Sequence, residues 1–107
     1  MAHLTIPLPE GMEPYKDDLE YFVSTMVRKL HVNRHKGTSK ELDVRGLMAG
    51  LNDEMLELAQ AIRSEGQFDV PIEAADVANF AFLVSIAVWH MTRQNFEDLK
   101  ETYNGRT

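Results

Sequence analysis

Two short acidic patterns sit near the middle of this 107-residue chain: Glu54-x-x-Glu57 and Glu73-x-x-Asp76. Residues three apart share one face of a helix, so each pair aims two carboxylates in one direction. Asn79 continues the line of the second pair. Glu73 has an ordinary explanation, since an acid in a first turn favours the helix dipole. Asp76 has none. It lies a turn further in, Asp is a poor helix former, and an unpaired buried carboxylate is costly. Something cationic must meet it. Four carboxylates on two facing helices make a hard, all-oxygen site suited to Mg²⁺, with Mn²⁺ as the other candidate. A buried Arg or Lys would answer the same charge, and residue chemistry leaves both open.

The elements that must position these groups are helical. A helix is predicted over residues 40–64, where Val44, Met48, Leu51, Met55, Leu58 and Ile62 step by four and three along one line. With that line at zero, Glu54 lies at roughly 80° and Glu57 at roughly 140° on the same side. Gly50 and Ala61 lie around them, and small residues there leave room for another group. Asp53 points at roughly 180°, into solvent. Met26, Met48 and Met55 read as core.

A third helix is predicted over residues 71–91, starting at Pro71, a favoured first position. Ala74, Val77, Ala78, Ala81, Phe82, Val84, Ile86, Val88 and Trp89 go all the way round it. Such a helix must be covered on every side, which predicts packing against a second subunit. His90 reads as a core histidine. Before these comes a helix over 15–31 with Leu19, Phe22, Val23, Met26 and Leu30 as its stripe, and a loop over 33–39 stopped by Gly37. After them a short helix is predicted over 93–103, with Phe96, Leu99 and Tyr103 on one side. Residues 1–14 read as an irregular arm whose alternating Leu4, Ile6 and Leu8 could lie in a groove. The expected fold is all-α: a helical bundle of three long helices plus a short C-terminal helix. It forms one domain, 15–107, whose core is completed by oligomerisation.

The net charge is −6. Arg28, Lys29, Arg34, Lys36 and Lys40 nevertheless hold five of the eleven formal cations, with no acid among residues 28–40. An acidic chain argues against a nucleic-acid polymer as partner. The absence of cysteine excludes thiolate metal sites and disulfides, as suits a cytoplasmic protein. No signal peptide is read, and the apolar run 77–91 is short for a membrane span. No glutamate lies three residues before a histidine, which argues against a di-iron bundle.

The stretches DEMLELAQAI and EAADVANFAFLV together resemble the MazG-like nucleoside triphosphate pyrophosphohydrolases, the all-α NTP pyrophosphatase superfamily. That pattern is E-E-x-x-E, a spacer, then E-x-x-D. Here Asp53-Glu54-x-x-Glu57, a spacer of fifteen residues and Glu73-x-x-Asp76 fit it, with Asp53 in place of the first glutamate. KLHVNRHKG is similar to the lysine- and asparagine-bearing stretch of short, phage-type members. The resemblance implies hydrolysis of a (d)NTP to (d)NMP and pyrophosphate by a homo-oligomer, dimer or tetramer. It implies Mg²⁺ held by Glu54, Glu57, Glu73 and Asp76, Asn79 near the nucleotide, and phosphate facing Lys36, with Lys29, Asn33 and Arg34 beside it. Phe80, Phe22 and Trp89 are candidates to stack on the base. The competing expectation is a non-catalytic helical interaction module whose acids pair with Arg or Lys. A third is the same fold acting on a different pyrophosphate-containing nucleotide.

Overall fold

The computed structural model describes residues 1–33, 43–64, 66 and 68–104. Arg34, Lys36, Lys40 and the stop signal at Gly37 lie outside the described residues. The chain enters through an irregular segment that turns at Pro9–Met12, where Met12 N–H donates to the Pro9 carbonyl (3.1 Å). Gly11 takes a left-handed φ of 93° in that turn, a conformation glycine adopts without strain. A single 3₁₀ turn, Glu13–Tyr15, leads into α1, Lys16–Val32. α2 spans Val44–Arg63 and α3 spans Asp69–Asn104. No strand occurs among the described residues.

Three boundaries differ from the sequence expectation. α2 begins at Val44, not near Lys40, because Asp43 is extended and caps the helix by accepting a hydrogen bond from Gly46 N–H at 2.6 Å. α3 begins two residues before Pro71. The first turn tolerates proline because its N–H groups have no helical partner there. The third and fourth predicted helices are one helix of 36 residues. Nothing between Met91 and Arg93 is a breaker: Thr92 has only modest helix cost, and Gly and Pro are absent. The side chains of Phe96, Leu99 and Tyr103 lie outside the described residues.

α3 is the central element. α1 and α2 each pack on it, and among the described residues they make no close backbone approach to each other. Among the described residues the buried side chains are few and mostly small: Leu47, Ala61, Ala75 and Ala87, with polar Thr25 and Asn79. On α2 the buried line runs through Leu47 and Ala61, fourteen residues apart, and not along the apolar line. Met48, Met55 and Ile62 of that line stay 42%, 52% and 58% exposed. The expectation that Met48 and Met55 are core is therefore corrected. α3 comes in on the side where Gly50 and Ala61 allow the closest approach, roughly 80° round the helix.

α3 is roughly 54 Å long at 1.5 Å per residue, against 17 and 20 residues in α1 and α2. Val88, Trp89, His90 and Met91 are exposed, so His90 is not a core histidine. The chain exposes 8923 Å², where a compact monomer of 12.2 kDa exposes about 6,100 Å². The stretch Asp69–Asn95 is long and apolar enough to cross a membrane by length and composition. The run 77–91 alone is too short, and the helix extends it on both sides, chiefly before Val77.

Candidate metal centre

α2 and α3 form an antiparallel hairpin, so a step forward on one is matched by a step back on the other. Phe80 of α3 lies on Gly50 of α2. One turn beyond Gly50 is Glu54, and one turn before Phe80 is Asp76. A further three residues along each reach Glu57 and Glu73. The register thus brings three of the four acids that the sequence singled out, Glu54, Glu57 and Glu73, into one cluster, while Asp76 lies beside it and pairs with Lys29. One carboxylate oxygen each from Glu54, Glu57 and Glu73 lies within 4.8 Å of the others. Glu54 and Glu73 are half-buried and Glu57 is exposed. Asp53 is exposed, as its helical angle predicts.

Glu54 and Glu73 each turn Oε2 into the packed interior with no hydrogen-bond partner. Burial pushes the Glu54 carboxyl up to about 7, and Glu57, Asp76 and Glu73 add to the rise. Glu73 is raised as well, by burial first and then by the charges of Glu57 and Asp76, with Lys29 opposing. The neighbouring Glu57 carboxylate accepts a hydrogen bond only if one partner is protonated. With all three ionised no proton is available to share, and both buried oxygens remain without a donor.

The α1 side is different. Lys29 Nζ stands 3.5 Å from Asp76 Oδ1. This is the cation that Asp76 demanded. Sequence reasoning required a partner but could not choose which cation the fold would deliver. Three residues along, Asn79 Nδ2 donates to the Met26 carbonyl at 3.0 Å, while its buried Oδ1 has no partner. Asn79 therefore ties α3 to α1 through its amide nitrogen. Asn33 caps α1, its N–H donating to the Lys29 carbonyl, and so sits one turn from Lys29. Arg34 and Lys36, the other expected phosphate contacts, lie outside the described residues. Of the aromatic candidates, Phe80 is packed against Gly50, Phe22 is half-buried, and Trp89 is exposed roughly 20 Å along α3 from Asp76.

The donor set fits a small divalent ion. Three carboxylate oxygens are gathered within 4.8 Å of one another, Mg²⁺ takes oxygen donors, and two half-buried carboxylates have orphaned oxygens. Four acids face one ammonium group, so Lys29 leaves a deficit of three positive charges among the described residues. Zinc would want nitrogen or sulfur donors, and none is in the cluster.

No family model matches the chain, and neither a curated protein nor a solved structure matches it.

Proposed function

We propose that this chain is a Mg²⁺-dependent nucleotide pyrophosphohydrolase that converts a (d)NTP to (d)NMP and pyrophosphate, as the MazG-like resemblance implies. The observation that carries the reading is the uncompensated cluster of Glu54, Glu57 and Glu73, with two buried oxygens lacking any donor. Glu54, Glu57, Glu73 and Asp76 would hold Mg²⁺ or Mn²⁺. A bound divalent ion supplies phosphoryl polarisation, an activated water and stabilisation of the leaving pyrophosphate. The protein's own part is to hold four oxygens in place and to supply fixed cations for the polyphosphate. Lys29 already stands at the cluster's edge. Asn33, Arg34 and Lys36 follow it in the sequence, and a triphosphate needs such charge beyond the metal.

The active form is a homo-oligomer. The surface exceeds that of a compact monomer by about 2,800 Å², well above the ~800 Å² per partner of a stable interface. Met48, Met55 and Ile62 on α2 and Val88, Trp89 and Met91 on α3 form the apolar surface a second copy would cover. Burial in such an assembly, with charged Glu73 and Asp76 on the same helix, favours a cytoplasmic bundle over a membrane span for α3.

One observation favours a second reading. The Lys29–Asp76 pair is the contact that a non-catalytic interaction module would use. Pyrophosphate release from a panel of NTPs and dNTPs, with Mg²⁺ and with EDTA, decides between them. Metal-dependent release with a preferred nucleotide is expected. A folded protein that neither releases pyrophosphate nor binds a divalent ion would leave the module reading standing.

A further inference from the structure

Gly50 is the one residue of α2 where α3 lies directly on bare backbone. A Cβ built there would fall 2.8 Å from Phe80 Cζ and 2.9 Å from Cδ1, closer than real Cβ atoms come to a neighbour. Glycine inside a helix costs roughly 1 kcal/mol relative to alanine. Here that cost admits the Phe80 ring. The contact lies one turn, roughly 5.4 Å along the axis, from Glu54 on α2 and from Asp76 on α3. Toward the α2–α3 turn, one turn beyond Glu57, Ala61 is buried, and Ala75 is buried between Glu73 and Asp76. The α2 carboxylates therefore lie between the Gly50–Phe80 seat, on the open side of the hairpin, and buried Ala61 toward its turn.

We infer that Phe80 is a positioning residue. Its ring, seated on Gly50, fixes the α2–α3 separation that brings Glu54 and Glu57 to Glu73, and it does not stack on the base. This rests on the reading of the cluster as a divalent-metal site. A metal site tolerates misplacement of only about half an ångström in its supporting shell. Any side chain at position 50 must displace the ring or part the helices, so it acts on the metal before it acts on the nucleotide.

The test measures Mn²⁺ affinity by electron paramagnetic resonance on the whole chain, beside the Mg²⁺ dependence of pyrophosphate release. Gly50→Ala should weaken Mn²⁺ binding about tenfold or more, the size expected when a supporting contact is lost. It should raise the Mg²⁺ needed for half-maximal rate and leave the nucleotide KM at saturating Mg²⁺ unchanged. Adding Phe80→Leu to Gly50→Ala shortens the side chain facing the new methyl and should restore Mn²⁺ affinity to within about threefold. Folded Gly50→Ala with wild-type Mn²⁺ affinity overturns the inference. Should Gly50→Ala fail to fold, Phe80→Leu alone decides. Weaker Mn²⁺ binding with constant KM supports positioning, and a raised KM with unchanged Mn²⁺ binding makes Phe80 a stacking residue. If the wild-type chain binds no Mn²⁺, the metal-site reading itself falls and takes this inference with it.

Discussion

α3 has two polar seams, and the chain treats them in opposite ways. Toward α1, Asp76 has Lys29 and the Asn79 amide nitrogen has the Met26 carbonyl, so charge and hydrogen-bond donors are matched within the chain. Toward α2, three glutamates crowd within 4.8 Å with two buried oxygens unpartnered. The first seam shows that a long cation can be brought from a neighbouring helix to this face of α3. The second seam lacks one among the described residues and carries raised carboxyl pKa values instead. A structural network tends toward full satisfaction, because a half-satisfied one costs more than an apolar core. The α1 side leaves one neutral acceptor unpartnered, Asn79 Oδ1, whereas the α2 side leaves two carboxylate oxygens, and that excess of unmatched charge is what supports the proposed ion site.

The largest effect should come from breaking the unmatched seam. Glu54→Gln removes one metal ligand while keeping its shape. If the ion supplies several kcal/mol of transition-state stabilisation, turnover should fall by about a thousandfold. Without metal the same variant should melt at a higher temperature than wild type, because a buried like charge is gone. Wild-type pyrophosphate release by Glu54→Gln would remove Glu54 from the machinery.

Packing gives the next test. Leu47 is buried in the α2–α3 seam at 1% exposure, and Leu47→Ala should cost about 3 kcal/mol by denaturant unfolding. Met55→Ala, on the apolar line but half exposed, should cost under about 1 kcal/mol within the protomer. Its effect should instead appear as a weaker oligomer in light scattering. Equal costs at the two positions would mean that α3 covers the apolar line after all.

That pair of residues also shows what was legible in the sequence. Period alone revealed three helical stripes and the two acidic pairs, of which Glu54, Glu57 and Glu73 gather. The period could not say which face of α2 would be covered. Hydrophobicity points along Met48 and Met55, but helices approach most closely where side chains are smallest, at Gly50 and Ala61. Asp76's need for a cation was readable from its burial cost, whereas Lys29 as the answer depends on the α1–α3 register, which no local pattern encodes. The join at Thr92 was missed because a weaker stretch of apolar period looks like an end even without a breaker. Asp43 was a readable cap: an acid three residues before Gly46, at the foot of the stripe.

The unmatched seam should also respond to pH. In the unfolded chain a glutamate carboxyl titrates near 4.5, whereas Glu54 in the fold lies at about 7. Between those values the folded state holds a proton that the unfolded state has released. Metal-free stability is therefore full below about pH 4.5 and falls as pH rises through 7. Solvent on the open side of the cluster screens the effect to about 1 kcal/mol, a shift of several degrees in Tm. In EDTA the melting temperature should be higher at pH 5.5 than at pH 8. Saturating Mg²⁺ should reverse the order, because the ion needs ionised ligands. A Tm in EDTA that rises across this range would show that Glu54 is ionised in the fold without cost.

The smallest expected effect belongs to the matched seam, and it bears directly on the rival reading. Lys29 and Asp76 side chains are 31% and 17% exposed, with 3.5 Å between Nζ and Oδ1. A partly solvated pair at that distance should show a coupling of about 0.5–1 kcal/mol in a Lys29→Met, Asp76→Asn double-mutant cycle. It should weaken at high salt. If the pair were the purpose of the acidic pattern, it would be strongly coupled, and breaking it would cost as much as removing Leu47. A weak coupling means instead that Asp76 is only lightly held by Lys29. Under the proposed function, Asp76 could then turn toward a divalent ion at little cost, leaving Lys29 free for the phosphates. The matched seam would then act as a counter-charge held beside the unmatched one, and its small energy would let Asp76 exchange Lys29 for the proposed ion.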